Sequence, residues 1–190
     1  MARPKQFDEE RAVDAAMRAF WTAGYEATST QDLCDATGLG RSSIYNTFTS
    51  KHELFERALG RYMATKNAAT FAMLDGDESP RAKMRALLQQ VVDAPEDDPL
   101  GCLVVNSMIE LAPRDPDVAA VLRKDQELRL AALTEVLESG RRAGEIADGK
   151  DARELAHFVN ATIAGMRVAA RGGVGRDALE AIAATALNAL

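Results

Sequence analysis

Residues 28–48 read TSTQDLCDATGLGRSSIYNTF. The stretch is poor in large apolar side chains, broken by Gly38 and Gly40, and dense in hydroxyls. Ser29 and Asp32 form a capping-box-like pair, with Asp in place of the more usual Glu. They open a short helix that carries Leu33, Cys34 and Ala36 inward and stops at Gly38. After the bend Gly38-Leu39-Gly40, a second short helix runs from Arg41 to Phe48. Ile44 and Phe48, four apart, face inward with Leu33 and Leu39. Arg41, Ser42, Ser43, Tyr45 and Asn46 are left on the outer side.

Two short helices around a three-residue Gly-containing bend are the signature of a helix-turn-helix. A DNA major groove admits one helix, whose start and outer face touch base edges. Arg41 has the fork to bond guanine in bidentate fashion, and Asn46 the amide to read adenine. Ser42 and Ser43 are small enough to let the helix approach closely. Tyr45, Lys51 and Thr30 are suited to hold phosphates. The plainer alternative is a helical hairpin whose Ser and Asn side chains are only solvated.

Upstream, Asp8 is a good N-cap for a first helix with Glu9 and Glu10 in its first turn and Val13, Ala16, Met17 and Phe20 on one face. Gly24 ends it, and Arg3 and Lys5 precede it as a basic arm able to reach a minor groove. Downstream, Ser50 and Glu53 are a capping box for a fourth helix through Leu54, Phe55, Ala58, Leu59, Tyr62 and Met63. Ser79-Pro80 opens a helix bearing Met84, Leu87, Leu88, Val91 and Val92. A short helix from about Cys102 to Leu111 follows, then a long one from Asp115-Pro116 to about Ala143. Two more, Ala152–Arg171 and Asp177 to the end, close the chain. Strand-like alternation is absent, so the fold class is all-α with about nine helices.

At 190 residues and 47% hydrophobic, the chain suits one domain, or one domain with a small module. The nine basic and nine acidic side chains of residues 1–66 cancel, so the whole net charge of −6 lies beyond them. A neutral head and an acidic body let phosphate repel the body and leave the head to engage. Apolar runs are far too short for a bilayer and the N-terminus has no signal-like core, which predicts a cytoplasmic protein with no membrane partner. Cys34 and Cys102 lack metal-type spacing, and His52 and His157 are far apart, so neither a metal, a disulfide nor a cofactor is expected. No paired carboxylates, Ser/His/Asp set or phosphate-cradling Gly loop argues for an enzyme.

The run from Gly24 to Phe55, GYEATSTQDLCDATGLGRSSIYNTFTSKHELF, resembles the N-terminal domain of the TetR family of transcriptional regulators. The likeness rests on Gly24-Tyr25, Thr28, Asp32-Leu33, Ala36, Gly38-Leu39, Ser43-Ile44-Tyr45, Phe48, Ser50-Lys51 and Glu53-Leu54-Phe55. Residues 101–113, GCLVVNSMIELAP, are similar to a subset of members. Two departures stand out: Cys34 sits where a small Ala is usual, and Gly40 where a Ser-type cap is usual. The resemblance implies a helix-turn-helix DNA-binding domain over 1–50 and a ligand-binding and dimerisation domain over 51–190. It implies a homodimer on a pseudo-palindromic double-stranded operator, with DNA contacts at Thr30, Gln31, Arg41, Ser42, Ser43, Tyr45, Asn46 and Lys51. The implied role is a regulator, most often a repressor, released by a small hydrophobic or electrophilic effector that tilts the fourth helix. A helical protein-interaction module without DNA binding is the alternative.

Candidates for an effector pocket are Phe71, Met84, Leu88, Cys102, Asn106, Ile109, Leu128, His157 and Asn160. His157, Asn160 and Arg167 share one helical stripe, which is either a polar pocket wall or a dimer seam or solvated face. Cys102, at a helix start, is either a reactive sensor or an inert buried thiol. In the family the last two helices pair with their copies. Candidates for that interface are Leu155, Phe158, Val159, Thr162, Ile163 and Met166, with Leu179, Ile182, Ala183, Ala186 and Leu187. The alternative is that both stripes bury within one protomer.

Overall fold

A computed structural model describes residues 9–95, 97–147 and 149–190. The described residues form nine α-helices and no strand: α1 (Glu9–Ala23), α2 (Thr30–Thr37), α3 (Arg41–Phe48), α4 (Lys51–Asp75), α5 (Pro80–Val92), α6 (Leu103–Glu110), α7 (Pro116–Arg142), α8 (Ala152–Arg171) and α9 (Arg176–Asn188). The expected cap at Asp8 and the arm of Arg3 and Lys5 lie outside the described residues. No described helix is long and apolar enough to cross a membrane.

The caps explain most boundaries. Ser29 and Asp32 make a complete capping box: the Ser29 hydroxyl accepts from the Asp32 amide at 3.1 Å, and the Ser29 amide donates to Asp32 Oδ2 at 2.7 Å. The Ser29 hydrogen bonds hold the Asp32 carboxyl below its usual range, so this cap is intact at neutral pH and is lost as pH falls through that lowered value. At Ser50 only half the expected box forms. Its hydroxyl accepts from the Glu53 amide at 3.0 Å, while the Glu53 carboxylate turns to Arg57 at 3.1 Å. The Ser50 amide donates to the Phe48 carbonyl instead, because Thr49 stands at φ 56 and folds the chain back on itself. Gly38 closes α2 in the left-handed conformation, φ 69 and ψ 15, which a residue with a Cβ rarely adopts. Asp115 and Asp151 cap α7 and α8, each accepting from two amides of the first turn.

Two buried clusters hold the helices together. The first joins Phe20 and Trp21 of α1, Leu33 of α2, Ile44 and Phe48 of α3, and Leu54, Phe55, Leu59 and Tyr62 of α4. It continues into Cys102, Leu103 and Val104 at the start of α6 and Val118 and Leu122 of α7. Phe20 meets Phe55 edge-on at 5.3 Å between ring centres, and Trp21 meets Tyr62 at 4.9 Å. No break in packing falls at residue 50; head and body share apolar contacts across it. The second cluster fills the body between α5, α7, α8 and α9, around Met84, Leu88, Leu133 and Leu137.

The dimer stripes expected from sequence require correction. Leu155, Val159, Ile163 and Met166 of α8, and Leu179, Ala183, Ala186 and Leu187 of α9, are buried in the protomer's own second cluster. Each is 8% exposed or less in the single protomer. The strongest apolar stripe of each helix goes to the nearest core, since intrachain burial removes it from water first. Of the eleven candidates, Phe158 stays 42% exposed and Ile182 38%, with Thr162 half-buried beside Phe158.

Two glycines inside helices predict opposite outcomes of one substitution. A Cβ on Gly140 of α7 would lie 2.9 Å from Ile146 and 3.0 Å from Pro80. A Cβ on Gly60 of α4 meets nothing within 4 Å. Gly140→Ala is expected to lose about 1–2 kcal/mol through overpacking, net of helix propensity, whereas Gly60→Ala gains about 0.5–1 kcal/mol. Denaturant midpoints of the two variants check both signs.

Candidate nucleic-acid interface and effector cavity

The exposed surface of α2 and α3 follows from how α3 is held. Ile44 and Phe48 are buried, so Arg41, Ser42, Tyr45 and Asn46 project outward and Ser43 is half-buried. Gly40, at the N-cap of α3, makes no side-chain cap, and its backbone alone accepts from the amides of Ser43 and Ile44. Tyr45, 38% exposed, is pinned to α2 by a 3.0 Å contact between its hydroxyl and the Thr30 hydroxyl. That bond, then the neighbouring Arg41, lowers the Tyr45 pKa from its ordinary value. Gln31 is exposed and tied to Asp35 of its own helix at 2.8 Å. Lys51 sits over the Tyr25 ring at 4.5 Å from the ring centre, with its ammonium 3.5 Å from the Glu26 carbonyl. Thr30, Arg41, Ser42, Tyr45 and Asn46 are thus brought onto one exposed surface of α2 and α3.

The pocket candidates do not converge on one place. Cys102 and Asn160 line a small cavity of about 50 Å³ between α6, α7 and α8, with Val105, Met108, Asp125 and Arg167. Phe71 lines a separate open cleft of about 570 Å³ between α4, α5 and α7, which also presents Asp75, Lys83 and Glu135. Met84 and Leu88 lie in the second cluster and line neither space. Asn106 donates to the Trp21 carbonyl at 3.5 Å. Ile109 is 71% exposed and Leu128 52%, and His157 is exposed too. The buried sides of α6 and α7 are already taken by Leu103, Val104 and Ser107 and by Leu122, Asp125 and Leu130. Of the stripe His157, Asn160 and Arg167, only the last two face the cavity.

Cys102 is the N-cap of α6 and is buried. The Tyr62 hydroxyl lies 3.5 Å from its sulfur, and Arg167 Nη1 lies 3.5 Å from that hydroxyl. Burial, then the neighbouring Cys102, pushes the Tyr62 pKa far up, so the phenol keeps its proton and donates it to the thiol. Asp125, also buried, accepts from Asn67 Nδ2 at 2.6 Å. Among the described residues no group of three or more His, Cys, Asp or Glu is arranged to hold a metal ion.

Sequence reading missed Glu110 and Arg171, which meet the head where α1 ends. Both Glu110 oxygens accept backbone amides, of Tyr25 at 2.9 Å and Glu26 at 2.7 Å. Arg171 donates to the carbonyls of Trp21 at 3.2 Å and Thr22 at 2.9 Å. The available signal was weak: a lone acid ending the apolar run LVVNSMI, and an Arg ending the helix before two glycines.

Comparison with known proteins agrees with this architecture. A profile described as bacterial regulatory proteins, tetR family, matches residues 12–58, and one described as tetracyclin repressor-like, C-terminal domain, matches residues 80–186. The chain is 36% identical over 190 residues to the HTH-type transcriptional repressor ComR of Escherichia coli K12, covering 98% of this chain and 90% of ComR. It is 32% identical over 163 residues to the HTH-type regulator YezE of Bacillus subtilis 168, covering 84% of each. Among solved structures, a cysteine-substituted TetR family regulator CifR, in complex with a 26-base-pair operator duplex, superposes with a TM-score of 0.87 at 32% identity, covering 99% of both chains. The relatives are regulators rather than enzymes, and with α2 and α3 in the helix-turn-helix arrangement, this chain belongs to the TetR family of bacterial transcriptional regulators.

Proposed function

We propose that the protein is a repressor that binds a pseudo-palindromic operator as a homodimer and leaves it when a small hydrophobic or electrophilic effector enters the body. The observation that carries this reading is the division of α3 into a buried side, Ile44 and Phe48, and a solvent side, Arg41, Ser42, Tyr45 and Asn46. The likeness to operator-bound CifR supports the same use of the helix. Arg41 and Asn46 read base edges, Ser42 and Ser43 allow close approach, and Thr30, Gln31, Tyr45 and Lys51 hold the phosphate backbone. Arg3 and Lys5 reach the adjoining minor groove. Arg41→Ala is expected to weaken operator binding tenfold or more and to relax preference at one base pair, while Tyr45→Phe weakens binding to all sequences. Anisotropy titrations across a salt series, on the DNA protected upstream of the protein's own gene, check this. Wild-type affinity in both variants rules out α3 as the reader.

The dimer forms through the faces of α8 and α9 that the body leaves uncovered. Phe158, Ala161, Gly165 and Val168 recur every three or four residues on the outer side of α8, and Ala178, Ile182 and Thr185 do so on α9. Small residues at Ala161 and Gly165 let two copies of α8 approach closely, and pairing places two recognition helices about 34–36 Å apart, one DNA turn. A Cβ at Gly165 meets nothing within 4 Å, so Gly165→Arg leaves the protomer folded. It is expected to yield a monomer by light scattering that no longer protects the operator. A dimer that persists excludes this face.

The effector site is the cavity between α6, α7 and α8, where apolar Val105, Met108 and Ile163 surround Cys102, Asn160 and Arg167. Its small volume favours a compact molecule, and the thiol gives an electrophile a point of attack. Treating a Cys34→Ala protein with N-ethylmaleimide is expected to modify Cys102 and weaken operator binding at least tenfold. An alkylated protein with undiminished affinity removes the electrophile reading and leaves a non-covalent apolar ligand.

A further inference from the structure

We infer that Glu110 and Arg171 are positioning residues for operator binding, which hold the α1–α2 turn from two sides and release it when α6 and α8 are forced apart. The inference rests on the repressor reading and adds a route from cavity to DNA that does not depend on a tilt of α4. A helix ends with unpaired carbonyls, and the turn beyond it with unpaired amides. Within the head the Gly24 amide caps the Phe20 carbonyl, and the neighbouring groups are held from the body. The Trp21 carbonyl is met by Arg171 and, at 3.5 Å, by Asn106 of α6; the Thr22 carbonyl is met by Arg171, and the Tyr25 and Glu26 amides by Glu110. Gly24, between them, stands at φ 89, and a Cβ there would lie 3.0 Å from Glu110 Oε2, so the turn has no room for a side chain while the carboxylate is in place.

Both gripping residues are the last residues of helices that line the cavity. Val104, Val105 and Met108 face it from α6, which ends at Glu110; Asn160, Ile163, Ala164 and Arg167 face it from α8, which ends at Arg171. A cavity of about 50 Å³ has room for a water or two. A larger occupant lodged against α7 pushes α6 and α8 apart, and Glu110 and Arg171 separate with them. They cannot then both hold a turn that spans only Trp21 to Glu26. The held segment runs directly into the DNA surface: the Thr28 hydroxyl donates to the Gly24 carbonyl at 2.6 Å, Ser29 caps α2, and Thr30 touches Tyr45 of α3.

The test uses the full-length protein, the duplex that wild type selects from a randomised pool, and Ala164→Phe as a built-in occupant of the cavity. Glu110→Gln, which replaces one of the two accepting oxygens with an NH2 donor, and Arg171→Gln are expected to weaken operator binding at least tenfold, with Arg171→Lys within about threefold of wild type. Ala164→Phe alone is expected to weaken binding at least tenfold. Added to the Glu110→Gln/Arg171→Gln protein, it should cost less than twofold more, because the grip is already gone. Hydrogen exchange of the peptide around residues 24–28 should accelerate in Glu110→Gln and in Ala164→Phe while exchange in α9 stays unchanged, which a general loss of stability would not produce. Affinities within twofold of wild type in both Glu110→Gln and Arg171→Gln overturn the inference, as does an equal cost of Ala164→Phe with and without the grip. If wild type selects no duplex, the repressor reading falls and takes the inference with it. If wild type selects one and the grip variants bind it equally well, the inference alone falls.

Discussion

The burial of Ile44 and Phe48 is the constraint on which the rest depends. A helix of eight residues is too short to persist in water by its own hydrogen bonds. α3 exists because these two side chains complete the cluster built by Phe20, Leu33 and Phe55. Since that cluster supplies the stability, the outer side of α3 is spared from packing, apart from the bond of Tyr45 to Thr30. It presents an arginine, serines, a tyrosine and an asparagine to solvent. The Thr30–Tyr45 contact then fixes the orientation of α3 against α2.

The same cluster ties the head to the body. It passes without interruption from Phe20 and Trp21 into Leu103 and Val104, so α6 is packed into the head. The polar bonds of Glu110 and Arg171 lie at the rim of this contact and give it direction. Apolar packing transmits position but tolerates sliding, whereas two carboxylate–amide bonds at 2.7 and 2.9 Å are either made or broken. Switching between discrete states is better served by the second kind of contact.

Much of the plan was legible in the chain. Ser29, Ser50, Ser79 and Asp115 are all caps in the structure, because a cap is a local event between residues two or three apart. The segregation of Ile44 and Phe48 from Arg41 and Asn46 was equally readable, since helical period alone separates them. What misled was relative strength. The richest apolar stripes of α8 and α9 were assigned to a partner, yet Val159, Ile163 and Met166 fill the protomer's own core. The milder stripe through Phe158 and Gly165 is the uncovered one. Pocket candidates scattered for a similar reason: Ile109 and Leu128 are apolar, but which side of α6 and α7 faces inward depends on what α4 and α8 already occupy.

The amino-acid sequence by itself determined the helices, most of their caps, the bend at Gly38 and the side of α3 that faces solvent, because each depends on residues within about two turns of one another. Tertiary structure alone decided the rest: which of two apolar faces became core, where the cavity beside Cys102 lies, and that Glu110 and Arg171 meet the turn at Gly24. Those outcomes join groups separated by about 85 and 150 positions. No local periodicity encodes such pairings; they follow from competition among helices for a limited interior.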